Sequence, residues 1–352
     1  MLNVIGQRSW WISALAMLWM AMASSPGAQE QTYSLADAAG LAGHNVKFEP
    51  VSYLGRPAIR MTTVTQADDA GFALLPATNF QDGTIEVDLA VKVLTPPGVR
   101  MPGFTGVVFR ATPDGSEYEV FYLRPKNALA ENQSMRNHAV QYCSEPGYGW
   151  YKLRREWPFV YESYAEIEPE KWTHLKIEVA GRVARLFLNG SSKPALVVDG
   201  LKGSNLRGAI GLWGYSREES YFSNLRITPM TPLPIKNGSD GSGSWDVRIG
   251  TDAIGYETSL TLTRDGNKLS GTVETLEEGK TVAVTGTWRD GYVELEFPFE
   301  WPAGMKDGAP GPTKAFMDGW IDGDGAKGRI RVDGRADGMW TATRKKENAK
   351  AN

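Results

Sequence analysis

The chain is poor in cysteine and histidine, and this scarcity excludes several kinds of site. Cys143 is the only cysteine among 352 residues, so no internal disulfide can form and stability must come from packing. The three histidines, His44, His138 and His174, match no metal-ligand spacing. The sequence therefore predicts no metal site. As a cofactor, calcium stays an open alternative, although the acidic turn at 322–325 lacks the rest of an EF-hand loop.

Basic charge is not in surplus either. Lys and Arg together number 38 against 41 Asp and Glu, which gives a formal net charge of -3. Because neutralising phosphates requires an excess of cationic side chains, we expect no nucleic acid as a partner. Long helical runs are scarce, whereas 39 glycines and 20 prolines supply many turns. This composition is typical of an all-β protein.

The N-terminus has the pattern of an export signal. Arg8 precedes the apolar run WWISALAMLWMAMA, and Ala21–Ala23 offers small residues for cleavage. The run is short for a membrane span, which needs about 20 apolar residues, although an uncleaved anchor is the alternative. We predict a signal peptide over residues 1–28 and a periplasmic or extracellular location. Cleavage would leave no stable membrane span.

A proline-rich stretch followed by Gly, Ser and Asp at residues 230–243 predicts a linker between two units. Residues 32–229 contain many short alternating runs such as GTIEVDLAVKV, which predict an antiparallel jelly-roll sandwich. Residues 244–345 contain eight strand-like runs joined by short turns, and these predict a smaller up-and-down β-barrel. The polar tail 346–352 follows the barrel. The predicted fold class is therefore all-β.

Four stretches of the first unit carry a family resemblance: FQDGTIEVDLAVK, GVVFRATPDGSEYEVFYLRP, KWTHLKIEVAGRVARLFLNG, and the pair GAIGLW and YFSNLRI. Through them, residues 46–227 resemble concanavalin A-like and laminin G-like jelly rolls, most closely the bacterial secreted domains grouped with 3-keto-disaccharide hydrolases. The resemblance implies carbohydrate binding, with glycoside cleavage as a further activity of such folds. Ser223 and Asn224 stand where the family has an Asp-Asn pair, which removes one carboxylate and any metal role it had.

The second unit is similar to lipocalin-like or avidin-like barrels. It opens with GSWD and ends with WTATR. The resemblance implies that Trp245 of the first strand packs under Arg344 of the last strand. Such a cation–π contact would close one end of the barrel.

Carboxylates are the candidates for catalysis. Laminarinase-type hydrolases carry Glu-x-Asp-x-x-Glu on one strand; Glu86 and Asp88 match this pattern, but Val91 replaces the last acid. These two acids therefore fit the solvent face of a half-buried strand. A different pair could serve glycoside hydrolysis, and Glu162, which lies in FVYESY, is the candidate catalytic residue. We expect aromatic surroundings there to favour the protonated form that a general acid needs.

Aromatic and basic side chains alternate along the strands of the first unit. In EYEVFYLRP, Phe121 and Leu123 fit the core, which leaves Tyr122 and Arg124 on the opposite face. Aromatic rings stack on sugar C–H faces, while arginine and histidine hydrogen-bond hydroxyls. The alternative is that these rings cover a second hydrophobic layer beneath the loop 135–164. The predicted ligand-binding residues on this concave face and its loop wall are Arg110, Tyr118, Tyr122, Arg124, His138, Tyr142, Trp150 and Tyr151.

The sequence thus predicts a secreted bacterial carbohydrate-binding protein whose partner is an oligosaccharide or a polysaccharide. Two alternatives stay open. The first is a glycoside hydrolase or lyase acting on oligosaccharides, 3-keto sugars included, for which Glu162 would be needed in turnover. The second is a protein–protein adhesion module, which predicts a flat exposed apolar patch rather than a groove.

Overall fold

The structure is a computed structural model that describes residues 29–65, 69–95, 98, 100–232, 240–277, 279–301, 313–332 and 336–346. The predicted signal peptide therefore lies outside the described residues, as do the middle of the predicted linker and nearly all of the predicted tail. Among the residues that are described, no helix has both the length and the apolar character needed to cross a membrane.

Two antiparallel sheets form a sandwich from the first part of the chain. The strands described there are β1 (Gln31–Tyr33), β2 (Ala42–His44), β3 (Val46–Tyr53), β4 (Arg56–Thr63), β5 (Ala70–Phe80), β6 (Asp82–Val93), β7 (Thr105–Ala111), β8 (Tyr118–Leu123), β9 (Val140–Glu145), β10 (Glu162–Ser163), β11 (Thr173–Ala180), β12 (Val183–Leu188), β13 (Leu196–Asp199), β14 (Gly208–Tyr215) and β15 (Glu218–Met230). Three short helices interrupt this series, α1 (Pro125–Ala128), α2 (Gln133–Arg136) and α3 (Trp150–Glu156) in the described part.

The strand order places the predicted strands in two layers. The eight-stranded sheet has the order β13-β12-β11-β6-β15-β4-β3, with β1 beside β15. The seven-stranded sheet has the order β10-β9-β8-β7-β14-β5-β2. In β6 the alternating residues Ile85, Val87 and Leu89 are buried between the sheets, which leaves Glu86 and Asp88 on the outer face.

Strand register decides which side chains of the seven-stranded sheet face the core. Phe121 pairs with Val107 and Tyr142, so these three residues share the core face. A Cβ added at Gly214 on this same face would lie 3.1 Å from Met61 of the opposite sheet. Residues one position away, such as Tyr122, consequently lie on the outer face.

The second part of the chain closes into a barrel. Its described strands are β16 (Gly243–Thr251), β17 (Gly255–Asp265), β18 (Lys268–Glu274), β19 (Thr281–Arg289), β20 (Tyr292–Phe299), β21 (Thr313–Asp322), β22 (Gly325–Val332) and β23 (Ala336–Arg344). Each strand pairs with the next, and β23 pairs with β16. The guanidinium carbon of Arg344 lies 4.2 Å from the ring centroid of Trp245, so the predicted contact is present. The all-β prediction of a sandwich followed by an up-and-down barrel is confirmed.

The barrel packs against the sandwich through polar groups. Arg182 of the sandwich donates to the Asp290 carboxylate at 2.7 Å. The Tyr292 hydroxyl lies 2.5 Å from the carbonyl oxygen of Asp199. These contacts join the turn between β11 and β12, which carries Arg182, and the end of β13, which carries Asp199, to the barrel wall.

Lys202 is the buried centre of this contact. Its ammonium nitrogen contacts the carboxylate of Glu294 and lies 4.1 Å from the ring centroid of Trp157. Burial lowers the pKa of Lys202 well below its usual value. Arg289 of the barrel donates to the carbonyl oxygen of the same lysine at 2.8 Å. The two units therefore share a polar interface that contains a buried amine.

Candidate functional site

Glu162 is the centre of a charged cluster at the edge of the seven-stranded sheet. Strand β10 pairs with β9 so that Glu162 lies opposite Gln141, on the outer face that also carries Tyr122. Arg154 of α3 donates from Nε to Glu162 Oε1 at 2.9 Å and from Nη2 to Oε2 at 2.7 Å. Arg154 thus contacts both carboxylate oxygens of Glu162, which fixes the orientation of the two groups relative to each other.

His138 and Arg124 complete the cluster. His138 Nδ1 lies 2.8 Å from Glu162 Oε2, and Arg124 Nη2 lies 3.6 Å from the same oxygen. Burial lowers the pKa of His138, and the guanidinium groups of Arg154 and Arg124 lower it further, against the opposing effect of Glu162. Three predicted site residues are thus brought together.

The aromatic surroundings expected for Glu162 are not observed, and this prediction was wrong. Its neighbour Tyr161 points to the core side, where its ring lies 5.6 Å from that of Tyr142, because adjacent side chains of a strand alternate. Tyr164 is exposed. The groups around the Glu162 oxygens are instead the nitrogens of arginine and histidine. This arrangement suits a hydrogen-bond acceptor better than a proton donor.

Arg110 was predicted on the outer face, and this position was wrong. Arg110 is buried between Asp82, at 3.0 Å, and Glu119, at 3.4 Å. It lies where the pairing of β7 with β14 shifts register, and its φ is 52°. A bulge breaks the strict alternation on which the prediction relied, and it turns the side chain towards the core.

Tyr142 also lies on the core face, contrary to the prediction. It is fully buried, and its hydroxyl donates to Glu119 Oε1 at 2.7 Å. The same hydroxyl accepts the backbone N–H of Lys202 at 2.7 Å. Alternation correctly indicates that Val140 and Tyr142 share a face, but it does not say which face meets the other sheet.

Tyr118, Tyr122 and Arg124 do lie on the outer face, but they are not freely exposed. Tyr122 is buried and stacks on Trp213 with ring centroids 4.9 Å apart. The Arg124 guanidinium lies 5.3 Å from the Tyr122 ring, and the half-buried Tyr118 lies 5.0 Å from Phe72. The expected exposure of Tyr122 and Arg124 was therefore wrong. The alternative of a second packed aromatic layer describes this part of the face.

Exposed aromatic rings are concentrated beside the cluster. Trp150 is 47% exposed and Tyr151 is 63% exposed, and Phe159 and Tyr164 are exposed as well. In the described part of the chain these four are the large aromatic side chains in the exposed class. Arg154, which binds Glu162, also lies over the Trp150 ring at 4.9 Å. Trp150 and Tyr151, whose rings meet edge to face at 87°, lie next to the charged cluster and are called the aromatic platform.

A cavity of about 370 Å³ lies between the sandwich and the barrel. Its lining includes Phe159, Glu162 and Val197 from the sandwich, and Arg329 and Asp337 from the barrel. Sequence reasoning missed the barrel residues because no local pattern reports how two separate units pack.

Sequence reasoning also missed a cluster on the outer face of the eight-stranded sheet. Asp88 lies 2.8 Å from Arg56 and 2.9 Å from His174, and it accepts a hydrogen bond from Asn224 at 2.9 Å. Arg56 also lies over the Trp172 ring at 5.6 Å. Alternation assigned Asp88 to the solvent face, but only the pairing of β6 with β11 and β15 shows its partners.

Metal binding would need a cluster of metal ligands among the described residues, and thiol chemistry would need a reactive thiol there. Within those ranges, no group of three or more His, Cys, Asp or Glu side chains is placed to hold a metal ion. Cys143 is buried, and burial raises the pKa of its thiol far above the usual range. This environment does not suit a reactive thiolate.

Comparison with known proteins finds remote structural similarity. No family model and no curated protein matches the chain. The chain is similar to the carbohydrate-binding module CBM66 from Bacillus subtilis, at 16% identity and a TM-score of 0.37, over 54% of this chain and 96% of that one. It is similar to domain 4 of AbnA, a GH43 extracellular arabinanase from Geobacillus stearothermophilus, in complex with arabinotriose, at 12% identity and a TM-score of 0.37, over 58% and 95% of the two chains. Because these scores are low, the fold is defined by the strand pairing given above.

Proposed function

We propose that the protein is an exported carbohydrate-binding protein that holds an oligosaccharide or polysaccharide beside α3 and β10. The supporting observation is the platform of Trp150 and Tyr151 next to Arg154, His138 and Glu162. Flat rings pack against the C–H faces of sugars, whereas the polar groups offer donors and acceptors to hydroxyls.

The polar part of this site is organised before a ligand arrives. Arg154 and Glu162 orient each other through three hydrogen bonds, and His138 Nδ1 lies 2.8 Å from the same carboxylate. Binding therefore orders few additional side chains, which reduces the entropy cost of association. The export pattern of residues 1–28 fits a ligand outside the cytoplasm.

Trp150→Ala tests this proposal. We expect the variant to bind a recognised glycan about tenfold or more weakly, because a stacking aromatic ring is a typical binding hot spot. Calorimetric titration of the full chain with xylohexaose, arabinohexaose, laminarihexaose, mannohexaose and hexagalacturonate provides the measurement. Met339→Ala is the matched control, since Met339 is 53% exposed on the barrel, and it should bind as the wild type.

Two results would contradict the proposal. One is that the wild type binds none of these glycans. The other is that Trp150→Ala and the control Met339→Ala both bind with wild-type affinity.

Glycoside cleavage, including cleavage of 3-keto oligosaccharides as the sequence resemblance implies, is the second candidate. The observation that favours it is that Glu162 and Asp318 line the same cavity, and glycosidases use two carboxylates. Against it, the oxygens of Glu162 face arginine and histidine nitrogens. We expect binding without release of reducing ends in the same titrations, and release would favour the enzyme.

A further inference from the structure

We propose that the barrel forms the second wall of the carbohydrate site, and that a neutral oligosaccharide extends from the Trp150 platform into the cavity between the two units. This inference rests on the proposed function and adds to it a role for the barrel and a ligand class. Neither the strand pattern nor the family resemblance assigns the barrel any part in binding.

The cavity has the size and the position of a ligand site. Its volume of about 370 Å³ falls in the range of roughly 300 to 1,000 Å³ that is usual for small-molecule sites. Such sites occur preferentially where two domains meet. The Phe159 ring is 74% exposed and belongs to the cavity lining, so it offers a stacking surface to a sugar that enters.

Glu162 connects the cavity with the aromatic platform. Its carboxylate is bonded to Arg154, which lies over Trp150, and the same residue belongs to the cavity lining. The Arg154–Glu162 pair therefore links the position of a glycan on Trp150 to the lining of the cavity. A bound oligosaccharide would extend from Trp150 past the Arg154–Glu162 pair into the cavity, where Phe159 would be its second aromatic contact.

Both walls are held by contacts that cross the junction. Arg329 of the barrel lies 3.4 Å from the carbonyl oxygen of Asp199 in the sandwich, and 3.1 Å from the Asp318 carboxylate. Arg331 donates to the carbonyl oxygen of Glu156 at the end of α3. The cavity is thus bounded by side chains that are already fixed, which favours binding of a ligand without rearrangement.

The charges of the lining indicate a neutral ligand. Arg329 and Arg331 contribute two cations, while Glu162, Asp318 and Asp337 contribute three carboxylates. Arg329 is paired with Asp318, and Glu162 with Arg154. A sugar hydroxyl can donate to these carboxylates and accept from the guanidinium groups. Because the three carboxylates are matched by Arg329, Arg331 and the Arg154 partner of Glu162, the lining has no excess of positive charge to attract a carboxylated or sulfated chain.

Two variants on opposite walls test the inference in the full chain. Val197→Trp fills the cavity from the half-buried face of β13, and Asp337→Ala removes an exposed carboxylate from the barrel wall. Against the bound member of the hexasaccharide panel named above, we expect calorimetric affinity to fall about tenfold for Val197→Trp and about threefold for Asp337→Ala. Asp246→Ala, an exposed barrel carboxylate outside the cavity lining, is the control and should bind as the wild type.

The outcomes separate this inference from the proposed function. If Trp150→Ala loses affinity but Val197→Trp and Asp337→Ala bind as the wild type, the barrel is not part of the site and the inference is overturned, while the proposed function stands. Tighter binding of hexagalacturonate than of every neutral hexasaccharide overturns the ligand class. If the wild type binds no glycan of the panel, both proposals fail. Thermal unfolding of each variant, matched to the wild type, shows that a loss of affinity is not a loss of folding.

Discussion

Both units have apolar cores, but the sandwich also buries a set of charged side chains that the described part of the barrel nearly lacks. Among the described residues, the buried charged side chains of the sandwich are Asp82, Arg110, Glu119, Arg124, Glu162, Arg182, Lys202 and Glu218. In the barrel the corresponding group is Arg331, which lies at the junction. A closed eight-stranded barrel has an interior just wide enough for packed side chains, while the ends and edges of two open sheets leave room for polar groups. Of the charged side chains buried in the sandwich, Arg182 and Lys202 contact the barrel directly, and Glu162 lines the cavity between the two units.

The buried charges of the sandwich fix the positions of its segments more than they raise its free energy of unfolding. A buried ion pair adds little net stability, because desolvation offsets the attraction, but removing one partner leaves an uncompensated charge. The chain of contacts from Asp82 through Arg110, Glu119 and Tyr142 to the backbone of Lys202 thus holds the sandwich in one arrangement next to the barrel. The barrel residues that line the cavity are instead supported by an apolar core.

The largest effect is expected for Arg110→Ala. This change leaves Asp82 and Glu119 buried without their cation, so the free energy of unfolding should fall by about 3–5 kcal/mol, measured by urea denaturation. Arg248→Ala on the barrel surface is the control, since Arg248 and its partner Glu257 are both mostly exposed, and it should cost less than about 1 kcal/mol. Equal costs for the two variants would remove the contrast between the two units.

An effect of similar size, but dependent on pH, is expected for Glu218→Gln. Burial raises the pKa of Glu218 from 4.5 to about 8, although the N–H groups of Phe104 and Gly103 oppose this shift. The folded state then holds a proton that the unfolded state has released, so wild-type stability falls as pH rises from about 4.5 to 8. Glutamine does not titrate, so between pH 5 and pH 9 the variant should gain about 4 kcal/mol in free energy of unfolding relative to the wild type.

Urea denaturation of both proteins at pH 5 and pH 9 measures this gain. Glu257→Gln on the barrel, at an exposed carboxylate, is the control, and its difference from the wild type in free energy of unfolding should be the same at pH 5 and pH 9. A difference between Glu218→Gln and the wild type that stays constant with pH would contradict the assignment of the slope to Glu218.

The smallest effect is expected for Arg344→Ala in the barrel. The change removes the guanidinium that lies over Trp245, and such a partly buried cation–π contact contributes about 1 kcal/mol. The midpoint of thermal unfolding measures the loss, with Arg248→Ala as the control in the same barrel. If Arg344→Ala unfolds at the same temperature as the control, the end of the barrel does not depend on this contact.

Much of the fold could be predicted from local pattern. Alternation in GTIEVDLAVKV correctly indicated that Ile85, Val87 and Leu89 face the core. The contact between Arg344 and Trp245 was implied by the barrel resemblance of the GSWD and WTATR segments, and it is present. Arg110 could not be placed because a bulge reverses its direction, and a bulge depends on the partner strand. The surroundings of Glu162 depended on Arg154 and His138, which come from a helix and a turn that the strand pattern does not describe.

By itself the sequence determined the all-β class, the division into two units and, within regular strands, which residues share a face, because these follow from side-chain periodicity and turn composition within short segments. Only the tertiary structure decided which face is buried, that Arg124, His138 and Arg154 meet at Glu162, and that Asp337 of the barrel lines a cavity with Phe159 of the sandwich. The physical reason is that these contacts join segments far apart in the chain. Their geometry is set by strand register and by the packing of one unit on the other.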